Sequence, residues 1–325
     1  HPINDHIFAL HADIRSDDLF EGIWPIPYGV SLNCYLVKAD KIALIDLVRD
    51  WVGAPNELKS QLASLGVALE EIDYIILNHL EPDHTGWLRE FLSINKKAIV
   101  LTTAKGAELV KNFYFEHDRV QAVKEGDILD LGLGQALQFF ETPNVHWPET
   151  MMTWAKEGGV LFSCDGFGSY GALGDRIFDD EISEDEHEFF EAESLRYYAN
   201  IVASFGIFVK RAIEKLSSLP IRVIAPSHGI IWRANPNKII ERYLRYADYS
   251  DGPREKEIAI IWGSMYGNTE LGLKHVIEGI EEEKVPYSIH RVPDENVSFV
   301  LADAYKSEGI LIAMPTYEYK MFPPM

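Results

Sequence analysis

Cysteine is nearly absent: Cys34 and Cys164 are the only two in 325 residues. Two thiols allow one bridge at most. A disulfide-built scaffold is excluded, and a reducing cytoplasm is the expected compartment. No Cys-x-x-Cys pair occurs. Basic residues are also in short supply: 30 Lys and Arg stand against 51 Asp and Glu, for a net charge of −21. That balance argues against nucleic acid, whose phosphates need clustered cations. It argues equally against an anionic membrane surface. No apolar run reaches the ~18 residues of a membrane span. The first residues, His1-Pro2-Ile3-Asn4-Asp5, lack a basic segment leading into an apolar one, so no secretory signal is expected. What is present is an ordinary globular composition, 47% hydrophobic and 12% aromatic, at a length that suggests two domains.

Strand-like runs at 7–12, 30–38 and 41–47 open the chain, with Lys38-Ala39-Asp40-Lys41 as a hairpin turn. Strands and helices then alternate: a helix at 56–65, a strand at 73–78, a helix at 86–93, a strand at 98–102 and a helix at 104–114. Short strands follow near 119–123, 128–131, 136–141, 151–155 and 159–163. Phe178–Glu193 holds nine acidic residues in sixteen. It reads as a solvated helix with its lead-in loop, or as a docking patch for a basic redox partner. One long helix is expected from Glu193 to Leu216, a strand from Ile221 to Ala225 and a helix from Asn237 to Tyr246. Residues 248–256 are polar and carry Gly252-Pro253, as a linker does. The expected division is residues 1–247, the linker 248–256, and a second α/β unit over 257–325 with strands at 257–262, 286–291 and 309–313.

Chemistry concentrates in His79-Leu80-Glu81-Pro82-Asp83-His84, directly after the apolar run Tyr74-Ile75-Ile76-Leu77. Four side chains able to bind a metal fall within six residues, at the end of a buried strand. His146, Asp165 and His228 each follow another strand-like segment. The set is nitrogen and oxygen only. Structural zinc prefers thiolate-rich closed sites, whereas imidazoles with several carboxylates suit iron, manganese or catalytic zinc. A carboxylate such as Asp165 can bridge two metals ~3.5–4 Å apart.

A second constellation lies in Gly263-Ser264-Met265-Tyr266-Gly267-Asn268-Thr269, between an apolar strand and a helix. Backbone amides and hydroxyls at a helix start capture an anion such as phosphate. No lysine is present in the loop, so it is not a Walker A sequence. Met314-Pro315-Thr316-Tyr317 follows the strand at 309–313.

The ligand loop resembles the metallo-β-lactamase fold, in which zinc hydrolases read His-x-His-x-Asp-His. Glu81 in place of the second histidine is similar to the flavodiiron proteins. The resemblance extends to His146-Trp147-Pro148-Glu149-Thr150-Met151, Asp165–Ala172, Tyr197-Tyr198-Ala199-Asn200-Ile201, Pro226-Ser227-His228-Gly229 and Gly29-Val30-Ser31-Leu32-Asn33. Leu32 stands where many members have tyrosine. Glu21-Gly22-Ile23-Trp24 lacks a histidine that some members carry there. The resemblance implies a metallo-β-lactamase-like αββα sandwich followed by a partial flavodoxin-like doubly wound α/β domain. It implies two Fe ions, one held by His79, Glu81 and His146, the other by Asp83, His84 and His228, with Asp165 bridging. Trp147 and Tyr198 would line an oxygen pocket or pack the core.

The loop at 263–269 resembles the FMN phosphate loop of flavodoxins, with Ser264, Met265, Tyr266, Gly267, Asn268 and Thr269 as contacts. Pro315, Thr316 and Tyr317 resemble the second flavin loop. The implied activity is reduction of O2 to water or of NO to N2O, with electrons passed through FMN. The implied partners are a rubredoxin-like or other electron-donor protein and a second copy in a head-to-tail homodimer or dimer of dimers. The flavodoxin pattern supplies about three of five strands. That leaves a second reading, a diiron oxygen-binding sensor without a working flavin site. A zinc hydrolase is the third, opposed by Glu81 and the phosphate loop.

Overall fold

Apolar strands alternating with returning helices stack two sheets face to face. A computed structural model describes residues 1–325. β1 (Ile7–Ile14) is followed by the short pair β2 (Leu19–Phe20) and β3 (Trp24–Pro25), then by β4 (Val30–Lys38) and β5 (Ile42–Ile45). β1, β4 and β5 pair antiparallel, in the registers Ala9↔Tyr35 and Tyr35↔Ile45. The sheet then turns parallel. α1 (Ala54–Ser64) leads to β6 (Tyr74–Ile76), α2 (Pro82–Thr85) and α3 (Leu88–Ile94) lead to β7 (Ile99–Thr102), and α4 (Ala104–Tyr114) leads to β8 (Val120–Ala122). The strand order is β1-β4-β5-β6-β7-β8. β4 is buried at all but its last residue, so Cys34–Val37 runs apolar without alternation, while the buried polar Ser31 and Asn33 are bonded to Pro226 and Gly229.

The second sheet contains β9 (Ile128–Gly132), β10 (Gln135–Glu141), β11 (Met151–Ala155) and β12 (Val160–Cys164). After α5 (Glu184–Tyr197) and α6 (Gly206–Leu216), β13 (Val223–Pro226) adds parallel to β12, giving the order β13-β12-β11-β10-β9. Tyr35 of the first sheet meets Phe162 of the second at 5.0 Å between ring centroids, and its hydroxyl donates to Pro226 O. On the outer face, Leu161 packs with Ile213 and Leu216 of α6 and Ile240 of α7 (Pro236–Asp248). Helix–sheet–sheet–helix layering follows, around one core of 72 buried residues. The expected αββα sandwich is therefore present. No helix is long and apolar enough to cross a membrane.

The last unit is small. β14 (Glu255–Trp262), α8 (Asn268–Glu282), β15 (Tyr287–Arg291), α9 (Val297–Lys306) and β16 (Ser307–Ala313) build a parallel sheet in the order β15-β14-β16. This is the 2-1-3 start of a flavodoxin-like sheet. Its own core has only three buried residues, Ile260, Trp262 and Leu273. Ile310 and Ile312 on the edge strand β16 are 55% and 60% exposed, which leaves an open edge and an uncovered apolar face.

Two expectations need correction. The helix expected from Glu193 to Leu216 begins earlier and is broken. Ser183 caps α5 in a capping box with Glu186, and a π-turn at Tyr198–Val202 and a 3-10 turn at Ala203–Phe205 separate it from α6. α9 was not expected. It carries β-branched and aromatic residues in a short apolar run, which strand and helix both accept. It also joins the two units. Arg196, 2% exposed, donates to Ser298 Oγ at 2.8 Å and Pro25 O at 3.0 Å, and is paired with Glu193.

Candidate metal centre

Strand ends in both sheets converge on one point. β6 ends just before His79, and Pro82 starts the turn of α2 that carries Asp83 and His84. Thr85 Oγ1 donates to Glu81 O at 2.9 Å and closes that turn. His146 sits on the loop between β10 and β11, Asp165 directly follows β12, and His228 follows β13. Beneath the loop, buried Asp46 accepts from Asn78 N at 2.8 Å and Nδ2 at 3.1 Å, while Thr153 Oγ1 donates to Asn78 Oδ1 at 2.7 Å. These bonds tie the first sheet to the second directly under the site.

All seven sequence-predicted metal residues come together, in two groups. His79, Glu81, His146 and Asp165 form one, and Asp83, His84 and His228 form the other; within each, the binding atoms lie within 4.8 Å of one another. Asp165 divides its oxygens between them. Oδ2 faces His79 Nε2 at 3.3 Å and His146 Nε2 at 3.4 Å. Oδ1 faces His84 Nε2 at 3.0 Å and His228 Nε2 at 3.3 Å. Glu81 Oε2 lies 3.3 Å from His79 Nε2 and 3.1 Å from His146 Nε2, and Asp83 Oδ2 lies 3.2 Å from His228 Nε2. This is the division the sequence resemblance implies.

The cluster is unfinished without a cation. Asp83 Oδ1 and Oδ2, Asp165 Oδ2 and His228 Nε2 are buried and have no hydrogen-bond partner. A native interior rarely leaves four such atoms together unpaired. The imidazoles are preset for metal. His228 Nδ1 donates to Ser31 O at 2.8 Å and His79 Nδ1 to Glu149 Oε1 at 2.8 Å, which leaves each Nε2 lone pair facing inward. Electrostatics agree. Burial opposes charge on His146, His228 and Glu81, but facing opposite charges outweigh it. His146 is pushed up to about 9 and His228 to about 10, while the histidines hold Glu81 down at about 2. Cys164 also approaches His84 and Asp165, but burial drives its thiol well above its usual range, so it stays protonated.

Trp147 stands beside the cluster, its ring 4.9 Å from that of His79. Tyr198 does not reach it; its ring packs on Tyr243, Tyr246 and Tyr305. The neighbouring Tyr197 takes that place, donating to Asp165 Oδ1 at 3.1 Å. Sequence reasoning passed over Tyr197, Glu149 and Ser31 as site residues, although each lies in a motif it singled out. Only their long-range partners reveal their roles. A cleft of about 160 Å3, lined by Phe20, Glu21, Arg49, Trp51 and the Glu81-Pro82-Asp83 turn, opens beside the cluster. Lost hydration and the nearby Glu81 carboxylate raise Glu21 to about 7.

The flavin candidates gather at one end of the third sheet. Ser264 Oγ accepts from Gly267 N at 3.0 Å, and Gly267, at φ 88°, turns the chain into α8. The first amides of α8, from Asn268 and Thr269, have no helical partner. Met265, Tyr266 and Tyr317 are exposed, and Pro315 and Thr316 follow the adjacent strand β16. Hydroxyls, open amides and no acid before Glu270 fit a phosphate.

The profile of the ODP family beta lactamase matches residues 30–229. Over 306 residues the chain is 36% identical to an anaerobic nitric oxide reductase flavorubredoxin of Salmonella arizonae, covering 91% of this chain and 60% of that protein. The chain thus spans less than two thirds of the curated relatives it matches. A flavo di-iron protein from Thermotoga maritima superimposes with TM-score 0.88 at 32% identity, covering 98% of this chain and 79% of the other. Rubredoxin oxygen:oxidoreductase from Desulfovibrio gigas does so with TM-score 0.90 at 28% identity, covering 99% and 79%. The fold, the site and these likenesses place the chain in the ODP family of the β-lactamase fold and, within it, among the flavodiiron proteins.

Proposed function

We propose that this chain is the diiron- and FMN-binding part of an oxygen and/or nitric oxide reductase. The division of Asp165 between two groups of side chains carries the reading. His79, Glu81 and His146 would hold one iron and Asp83, His84 and His228 the other, with Asp165 offering an oxygen to each group. Residues 1–247 supply this centre, 248–256 connect, and 257–325 bear the FMN contacts Ser264–Thr269 and Pro315–Tyr317. When bound, the two irons supply the redox chemistry and FMN feeds it electrons.

The residues bind, orient and move protons. Three carboxylates offset the cationic charge of the metals and favour their oxidised state. Glu149 and Ser31 O fix the imidazoles, so no reorganisation is needed when a small molecule arrives. Trp147 and Phe20 wall the site against bulk water. Glu21, at the mouth of the cleft, gives and regains protons at its carboxyl oxygens. The electron donor is a rubredoxin-like or other small redox protein. A head-to-tail pair of chains brings the flavin loop of one to the cluster of the other.

The test is consumption of O2 and of NO by iron- and FMN-loaded protein with a reduced rubredoxin. Turnover of either gas, lost in Asp165→Ala, supports the reading. Stable gas binding without turnover favours the oxygen sensor, and ester or lactam hydrolysis by a zinc form would sink both.

A further inference from the structure

Four buried tyrosines lie between the metal cluster and a surface cleft, the first two joined through the backbone of Gly168. Tyr197 donates to Asp165 Oδ1 at 3.1 Å. Its ring lies against Gly168, whose carbonyl accepts the Tyr243 hydroxyl at 2.7 Å. Along α7 and its end, Tyr243, Tyr246 and Tyr249 recur every third residue, with ring centroids 5.9 and 6.2 Å apart. All four are at most 2% exposed. Tyr249 and Tyr246 reach a cleft of about 410 Å3 that Glu255 and Lys306 also line.

We propose that Tyr197, Tyr243, Tyr246 and Tyr249 form a relay that carries one-electron oxidising equivalents out of the metal cluster and rests them on the Tyr249–Glu255 pair. The relay rests on the diiron reading above.

Packing alone would not select these residues. A buried phenol brings a hydroxyl that must find a partner, which phenylalanine avoids. The partners here also differ in kind. Tyr243 and Tyr246 donate to backbone carbonyls, of Gly168 and Glu191, which cannot take a proton. Tyr249 donates to the Glu255 carboxylate, which can. Tyr197 also faces a carboxylate, but Asp165 is committed to metal and is a poor base. A phenol gives up an electron most readily when its proton has somewhere to go, so the outer end is the resting place.

The balance is simple. Reducing O2 to two waters takes four electrons and four protons. A metal pair charged with two electrons and no flavin to refill it is two short. The relay supplies both in turn: at Tyr249 the O–H bond breaks, one electron moves inward, the proton passes to Glu255 and a neutral phenoxyl remains, and once a reductant has restored the phenol the same step delivers the fourth electron, the protons of the two waters coming from solvent. A small reductant of the thiol or ascorbate class, entering the cleft, returns the electron and lets the proton go back. The relay would protect the cluster whenever electrons run short.

The experiment uses the full iron-loaded chain without FMN, reduced under argon, mixed with O2 and freeze-quenched for electron paramagnetic resonance. The expected result is a tyrosyl signal that is lost in Tyr249→Phe, lost from that site in Tyr243→Phe, and shorter-lived in Glu255→Gln. Tyr305→Phe should keep it, since that ring lies 5.9 Å from Tyr249 but its hydroxyl donates only to Tyr246 O. O2 consumption with no tyrosyl signal, or a signal unchanged by Tyr249→Phe, overturns the relay and leaves the diiron reading intact. Failure to bind iron or consume O2 overturns both.

Discussion

Replacing Glu149 with alanine removes the acceptor of two buried donors at once. Its Oε1 takes the His79 Nδ1 proton at 2.8 Å and the Leu80 N–H at 3.1 Å. His79 and Leu80 are fully buried and Glu149 is 1% exposed, so water does not replace the lost bonds. Each orphaned donor costs about 1–3 kcal/mol, giving about 2–6 kcal/mol of fold stability if the site does not relax. Metal binding suffers separately. Without Glu149 the His79 ring is free to rotate and its Nε2 is less basic, and loss of such a partner typically weakens metal affinity about 10–100-fold. Glu149→Gln separates the effects. It keeps an oxygen for both donors and removes the charge, so stability should largely survive while affinity still falls. The assay is competition for metal against a chromophoric chelator, paired with denaturant unfolding of the metal-free protein. Wild-type affinity and wild-type stability in Glu149→Ala would refute the reasoning.

Metal loading should also depend on pH. In the metal-free cluster burial opposes charge, yet the facing carboxylates of Asp165 and Glu81 raise His146 to about 9, and those of Asp165 and Asp83 raise His228 to about 10. These histidines carry protons at pH 7, and a metal must displace them. A raised pKa stabilises the metal-free form fully below the ordinary histidine range, and that stabilisation is lost as pH rises through about 9–10. Affinity should therefore rise between pH 7 and 9, by about tenfold per unit for each proton displaced, with matching proton release to an indicator dye. In the flavin loop, Ser264→Ala or Thr269→Val should weaken FMN about tenfold through one lost hydrogen bond to phosphate. Quenching of flavin fluorescence measures this, and unchanged affinity would remove the loop from the site.

Local signals in the sequence were the most legible. His79–His84 announces itself because one turn holds four of the seven metal residues. His146, Asp165 and His228 are readable because each follows a strand-like segment, beyond which a sheet presents its side chains. Glu149 and Ser31 were not readable as supports, because their partners lie 70 and 197 residues away. The tyrosine pair at 197–198 shows the same limit. Adjacent residues look equivalent in sequence, and only the packing around the helix decides that Tyr197 faces Asp165 while Tyr198 faces α7. The broken helix escaped notice for a related reason, since a continuous helical pattern does not reveal one wide turn. α9 was missed because its apolar run suits strand and helix alike, and its docking on Arg196 settles the choice.

The most direct test of the central claim is the metal content of the purified protein, read together with X-ray absorption at the metal edge. The account predicts two irons per chain, each bound by nitrogen and oxygen only, separated by about 3.5–4 Å as a shared carboxylate requires. A single metal per chain, or zinc with no iron under iron-replete conditions, would contradict it.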